Sequence, residues 1–143
     1  MVVIHFQFES IHPFYDGNGR TSRIITILYL VQKQLLQLPI LYLSRYINRN
    51  KEAYYKNLQG VRNNDDWESW ILYMLRALEE TALQTVQLIG GVKELMQTYK
   101  HRIRENYKFY SQDLLNNLFK HPYTKIEFLQ NDLGVSRITA ASY

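Results

Sequence analysis

The chain predicts an all-α fold. Residues 20–37 and 67–89 place apolar side chains three and four apart, which is the helical period. The breaks between such stretches carry helix-ending and helix-starting chemistry: Leu38-Pro39, then Asn63-Asn64-Asp65-Asp66, then Gly134-Val135-Ser136.

Taken in order, residues 2–11 read either as a strand by alternation or as the last turns of a helix. His5 within them is expected to pack or cap. Arg20 to about Gln37 is apolar on most sides and leaves only a narrow polar stripe through Ser22, Thr26, Lys33 and Gln37, so a central helix buried against several partners is expected. Pro39 ends it. A further helical stretch starts at Ser44 and reaches about Val61. Asn63-Asn64-Asp65-Asp66 is a turn with good N-cap residues for the next helix, whose inner face is Trp67, Trp70, Ile71, Met74, Leu75 and Leu78. That pattern continues to Ile89 and resumes at Val92 up to Ile103, with Gly90-Gly91 either breaking or kinking it. From Ser111 the pattern shortens. One helix closes at His121-Pro122. Another spans Thr124–Leu133 with Ile126, Leu129 and Leu133 inward, and a third begins after the cap Ser136. This is a helix-turn-helix pattern.

The densest chemistry lies in His12-Pro13-Phe14-Tyr15-Asp16-Gly17-Asn18-Gly19-Arg20-Thr21-Ser22-Arg23. Gly17, Asn18 and Gly19 can form a backbone nest for an anion, and the amides of the helix that follows favour negative charge. Arg20 and Arg23 lie three apart and suit phosphate oxygens, with Thr21 and Ser22 between them. Asp16 beside bound phosphates suits Mg²⁺. His12 brings an imidazole, the side-chain type suited to accepting a hydroxyl proton. Phe14 is expected to anchor the loop against the core. An EF-hand is excluded, because its spaced carboxylates and closing Glu are missing.

This stretch resembles the signature of Fic-domain proteins, His-x-Phe-x-Asp/Glu-Gly-Asn-Gly-Arg-x-x-Arg, with every fixed position present. The resemblance runs from about Val2 to the early 100s. It implies a Fic-type helical bundle with a partial core over 1–108, followed by an incomplete helix-turn-helix, winged-helix-like segment over 109–143. Residues 2–11 are then a helix that Pro13 forces to end. Measured against the family, the chain looks truncated at both ends, without the helices and β-hairpin flap that precede the motif. The resemblance further implies ATP and Mg²⁺, with AMP transferred to a Ser, Thr or Tyr hydroxyl of a target protein and His12 as general base. Tyr54, Tyr55 and Arg62 would lie on the adenine side. The family's inhibitory Ser/Thr-x-x-x-Glu-Gly/Asn motif is not matched: Glu105 precedes Asn106, but His101 stands four residues before it. No restraint of Arg23 from within the chain is implied.

Composition narrows the alternatives. With 143 residues and 46% hydrophobic content, the chain can form one modest domain with a small appendage. It has no cysteine, which removes disulfide scaffolds and Cys-based zinc sites, and a cytoplasmic location is expected. No run is long enough to span a membrane. The net charge of +4 fits phosphate ligands or nucleic acid only weakly. Two other readings stand beside AMP transfer. One is a Fic variant with a different transfer or a de-AMPylation activity. The other is a non-catalytic regulatory chain using residues 111–143 for DNA binding or self-association.

Overall fold

A computed structural model describes all residues 1–143. It contains helices and no strand: α1 (Val2–Ile11), α2 (Asn18–Gln32), α3 (Leu43–Arg49), α4 (Lys51–Asn64), α5 (Trp67–Asn106), α6 (Gln112–Leu118), α7 (Ile126–Leu133) and α8 (Arg137–Ser142). They form two compact units, Met1–Gln87 and Leu88–Tyr143, and the division falls inside α5. No helix is long and apolar enough to cross a membrane.

In the first unit, α1 and α2 form an antiparallel hairpin joined by residues 12–17. The face between them is polar, against expectation. Ser22 and Thr26 are fully buried, while Ile24 and Leu28 on the apolar side are 59% and 52% exposed. The reason is complementary spacing. His5 and Glu9 on α1 lie four apart, as do Ser22 and Thr26 on α2, so each pair meets the other across the hairpin. Ser22 Oγ donates to Glu9 Oε1, and the Gly19 carbonyl lies 3.1 Å from the same hydroxyl. Thr26 Oγ1 donates to the Ser22 carbonyl at 2.8 Å, so it accepts from His5 Nδ1 at 3.0 Å. His5 Nε2 is then the acceptor for the Tyr54 hydroxyl at 2.9 Å. One buried imidazole thereby ties α1, α2 and α4 together.

Around this node sits an aromatic core. Trp70 is fully buried, stacks on Tyr73 at 6.2 Å and meets Tyr54 edge-on at 5.6 Å. Its indole N–H donates to the Val2 carbonyl, and the Tyr73 hydroxyl donates to the Asn50 carbonyl. Burial pushes the Tyr54 and Tyr73 hydroxyls well above their ordinary range, so both remain donors.

Several boundaries differ from the sequence reading. α2 stops at Gln32, not near Gln37, because Gln34 turns left-handed at φ 57° before the proline is reached. The expected Ser44–Val61 helix is two helices, α3 and α4, parted at Asn50. The Gly90-Gly91 pair does not interrupt α5, which is one helix from Trp67 to Asn106.

In the second unit, Leu114, Leu129 and Ala140 make a small core flanked by Phe109, Leu118, Leu133 and Val135. Ser111 caps α6 by accepting from the Leu114 amide. Gly134 ends α7 at φ 64°, and Ser136 caps α8 by accepting from the Thr139 amide. The helix, tight turn and helix expected from residues 124–143 are present. Ile126 is an exception, expected inward yet 38% exposed.

Two outcomes follow. Burial, helped by the nearby Arg23 charge, lowers the His5 pKa from 6.5 to about 4. A lowered folded-state pKa means that the unfolded chain binds the proton more readily. The node's contribution is therefore complete above pH 6.5 and declines as pH falls toward 4, by roughly 2–3 kcal/mol. Urea titrations at pH 7 and 4.5 should show this loss in the wild type and not in His5→Gln. A Cβ built on Gly90 or Gly91 meets nothing within 4 Å. Gly90→Ala and Gly91→Ala should each stabilise α5 by about 0.5–1 kcal/mol, read as a higher thermal midpoint.

Candidate active site

The link between α1 and α2 holds the motif. α1 ends with His12 in the left-handed region, φ 50° and ψ 55°, its N–H donating to the Phe8 carbonyl. That conformation turns the chain out of the helix and leaves the imidazole exposed. Gly17 precedes α2 at φ 86°, a conformation that a side chain would strain. Helix geometry leaves the amides of Asn18, Gly19 and Arg20 without intrahelical acceptors.

Asn18 holds the loop. It is 3% exposed; its Oδ1 accepts from the Phe14 amide at 3.0 Å and its Nδ2 donates to the Phe14 carbonyl at 2.6 Å. Phe14 was expected to do this with its ring. Instead the ring is 51% exposed and rests against Phe8 at 6.1 Å, and the backbone of Phe14 is what is gripped.

His12, Tyr15, Asp16, Gly17, Asn18, Gly19, Arg20 and Arg23 line one open pocket of about 290 Å³. Within it the Asp16 carboxylate accepts from the Gly17 amide at 2.6 Å and from Arg20 Nη2 at 3.0 Å. An amide and a guanidinium thus already converge on an anionic group. Arg23 is steered from the opposite side, with Nε donating to Ser44 Oγ at 2.7 Å. Its Nη1 lies 3.0 Å from where a Cβ on Gly19 would sit, so that glycine makes room for the guanidinium.

The other expected contacts separate. Thr21 and Ser22 spend their side chains internally: Thr21 Oγ1 donates to the Gly17 carbonyl, and Ser22 faces Glu9. Neither side chain is free for a phosphate. Tyr54 is 4% exposed and belongs to the core, so it presents no face to a base. Tyr55 is 58% exposed on α4. Arg62 reaches the Glu9 carbonyl and Ser10 Oγ, both at 3.4 Å, at the end of α1. Neither Tyr55 nor Arg62 lines the motif pocket. Glu9, Thr26 and Ser44 were missed by the sequence reading, and His5 was given only a packing or capping role. The matching four-residue spacing of polar groups on α1 and α2 was the available signal.

No group of three His, Cys, Asp or Glu side chains is placed to hold a metal. Asp16 alone fits Mg²⁺ that arrives on phosphates, because that ion keeps phosphate oxygens and water as most of its ligands.

Asn18→Ala should cost about 1–3 kcal/mol of stability, since it leaves both Phe14 backbone groups without their partner. Chemical denaturation measures this.

Comparison with known proteins agrees with this geometry. The Fic/DOC family matches residues 1–30, which include the whole motif. Residues 95–143 match the C-terminal domain of the SoFic-like protein adenylyltransferases. A probable protein adenylyltransferase of Aquifex aeolicus is 42% identical over 52 residues, covering 36% of this chain and 16% of that protein. The chain is thus similar to Fic/DOC proteins over its motif and to the SoFic-like adenylyltransferases over its C-terminal segment.

Proposed function

We propose that the chain carries the catalytic loop of a protein adenylyltransferase, which moves AMP from ATP to a hydroxyl of a target protein. The observation that carries this reading is the loop's own anion contact: the Gly17 amide and Arg20 close on the Asp16 carboxylate. Phosphate oxygens can replace that carboxylate. Asp16 is then free to face the accompanying Mg²⁺, which supplies charge neutralisation.

The roles follow from position. The amides of Asn18, Gly19 and Arg20 receive phosphate at the start of α2. Arg20 and Arg23 hold the β- and γ-phosphates, and the Ser44 contact fixes the approach of Arg23. His12, on the rim of the same pocket, takes the proton of the target hydroxyl. The hydroxyl oxygen bonds to the α-phosphorus, the bond from that phosphorus to the bridging oxygen breaks, and pyrophosphate leaves. The loop contributes positioning and charge. The exposed Tyr55 is the one aromatic of the adjacent tyrosine pair with a face open to adenine. The relative's name, probable protein adenylyltransferase, and the family of residues 95–143 support the same activity.

The test uses ATP labelled on the α-phosphate, with Mg²⁺ and a cell lysate. Wild type should pass label to protein. His12→Ala should lower transfer at least 100-fold with nucleotide affinity unchanged, because it removes a proton acceptor and no phosphate contact. Arg23→Ala should weaken nucleotide binding itself. Equal transfer by wild type and His12→Ala would overturn the assignment.

A further inference from the structure

The motif loop makes no use of the helix pair in the second unit. There Gly134 and Ser136 turn the chain between α7 and α8, and a core around Leu114, Leu129 and Ala140 joins both helices to α6. α8 gives that core one buried residue, Ala140. The hydroxyls at its start are spent locally: Ser136 Oγ and Thr139 Oγ1 share a hydrogen bond at 2.9 Å. Ser142 Oγ donates to the Thr139 carbonyl. Arg137 and Ile138 do neither. Both are exposed, Ile138 at 84%, and Ile138 packs on no part of the small core.

A helix-turn-helix whose second helix leaves a guanidinium and an aliphatic group free has the form that enters a DNA major groove. In that groove a guanidinium can pair with guanine O6 and N7, and an aliphatic group can meet a thymine methyl.

Charge supports this occupant. The net +4 is uneven, because residues 88–143 hold eight Lys and Arg against five Asp and Glu. The excess gathers at the end of α5, in Lys100, Arg102, Arg104 and Lys108, with only Glu105 among them. Phe109 follows at once. It packs on the core that contains Ala140, and its ring lies 5.1 Å from that of Tyr143. That contact seats the basic end of α5 beside α8. Lys120 is the one basic side chain of this unit in an ion pair, with Asp132 at 2.9 Å. Arg104, Lys108 and Arg137 are exposed and have no carboxylate within ion-pair distance. Cations left free in this way suit a polyanion, since each one that meets a phosphate releases a counterion.

We propose that the second unit binds duplex DNA, with Arg137 and Ile138 on base edges and Arg104 and Lys108 on phosphates. This function is independent of the nucleotide chemistry of the motif loop. Fluorescence anisotropy of the full chain with a labelled duplex of about 30 base pairs tests it. Binding should weaken roughly tenfold between about 50 and 200 mM salt, the dependence that two phosphate contacts give. Lys108→Ala should lower that salt slope by about one. Arg137→Glu and Ile138→Glu should each weaken binding at least tenfold. Lys51→Glu, a like charge change on the exposed surface of the first unit, should leave it within about twofold. Arg137 and Ile138 lie outside the core, so folding is not at stake in their variants. No binding in low salt, or equal losses from Arg137→Glu and Lys51→Glu, would overturn the proposal. So would a single strand of the same length held more tightly than the duplex.

Discussion

The loop that carries the motif depends on a buried imidazole well away from it. Residues 12–17 are only a short link between two helices, so the position of His12 relative to Gly17 is set by how α1 lies on α2. His5 fixes that relation through a directed chain of hydrogen bonds from Tyr54 to His5, then Thr26, then the Ser22 carbonyl. Each donor has one acceptor, which makes the arrangement specific where a purely apolar contact would tolerate sliding. Small side chains at Ser22 and Thr26 let the two helices approach closely, and Glu9 satisfies Ser22 one turn nearer the loop.

At the loop itself, preorganisation comes from contacts and backbone turns within the protein. Asn18 grips the Phe14 backbone, the left-handed turns at His12 and Gly17 shape the connection, and Ser44 holds Arg23. In a site built this way the backbone is already placed when charge arrives, so the Asp16 carboxylate is the group that moves aside. Thr21 and Ser22 belong to this supporting group. Their place in the motif reflects helix geometry more than contact with phosphate.

How much of this was legible in the sequence depended on the kind of signal. Helix periods gave the all-α fold, and Gly134 and the cap residue Ser136 gave the tail its tight turn, since these effects are local. The motif gave the loop, because its residues act together over a short span. What stayed hidden was tertiary. A narrow polar stripe on α2 does not say what it faces, and only a matching polar stripe on α1 turns it inward. Phe14 reads as an anchor because an isolated aromatic in a polar loop usually is one, yet the buried amide of Asn18 took that role. Nothing in the adjacent Tyr54-Tyr55 pair says which ring enters the core, and the partner at His5 decides it. The end of α2 was misplaced because a proline is a stronger mark on paper than the left-handed Gln34 that acts first.

The central claim is that the backbone amides at the start of α2 receive nucleotide phosphates. A titration of the full chain with Mg²⁺ and ATP, followed by amide nuclear magnetic resonance shifts, tests it most directly. The account predicts the largest shifts at Gly17, Asn18, Gly19 and Arg20, with the amides of α7 and α8 unmoved. Saturable binding that leaves those four amides unshifted, or no binding at all, would contradict it.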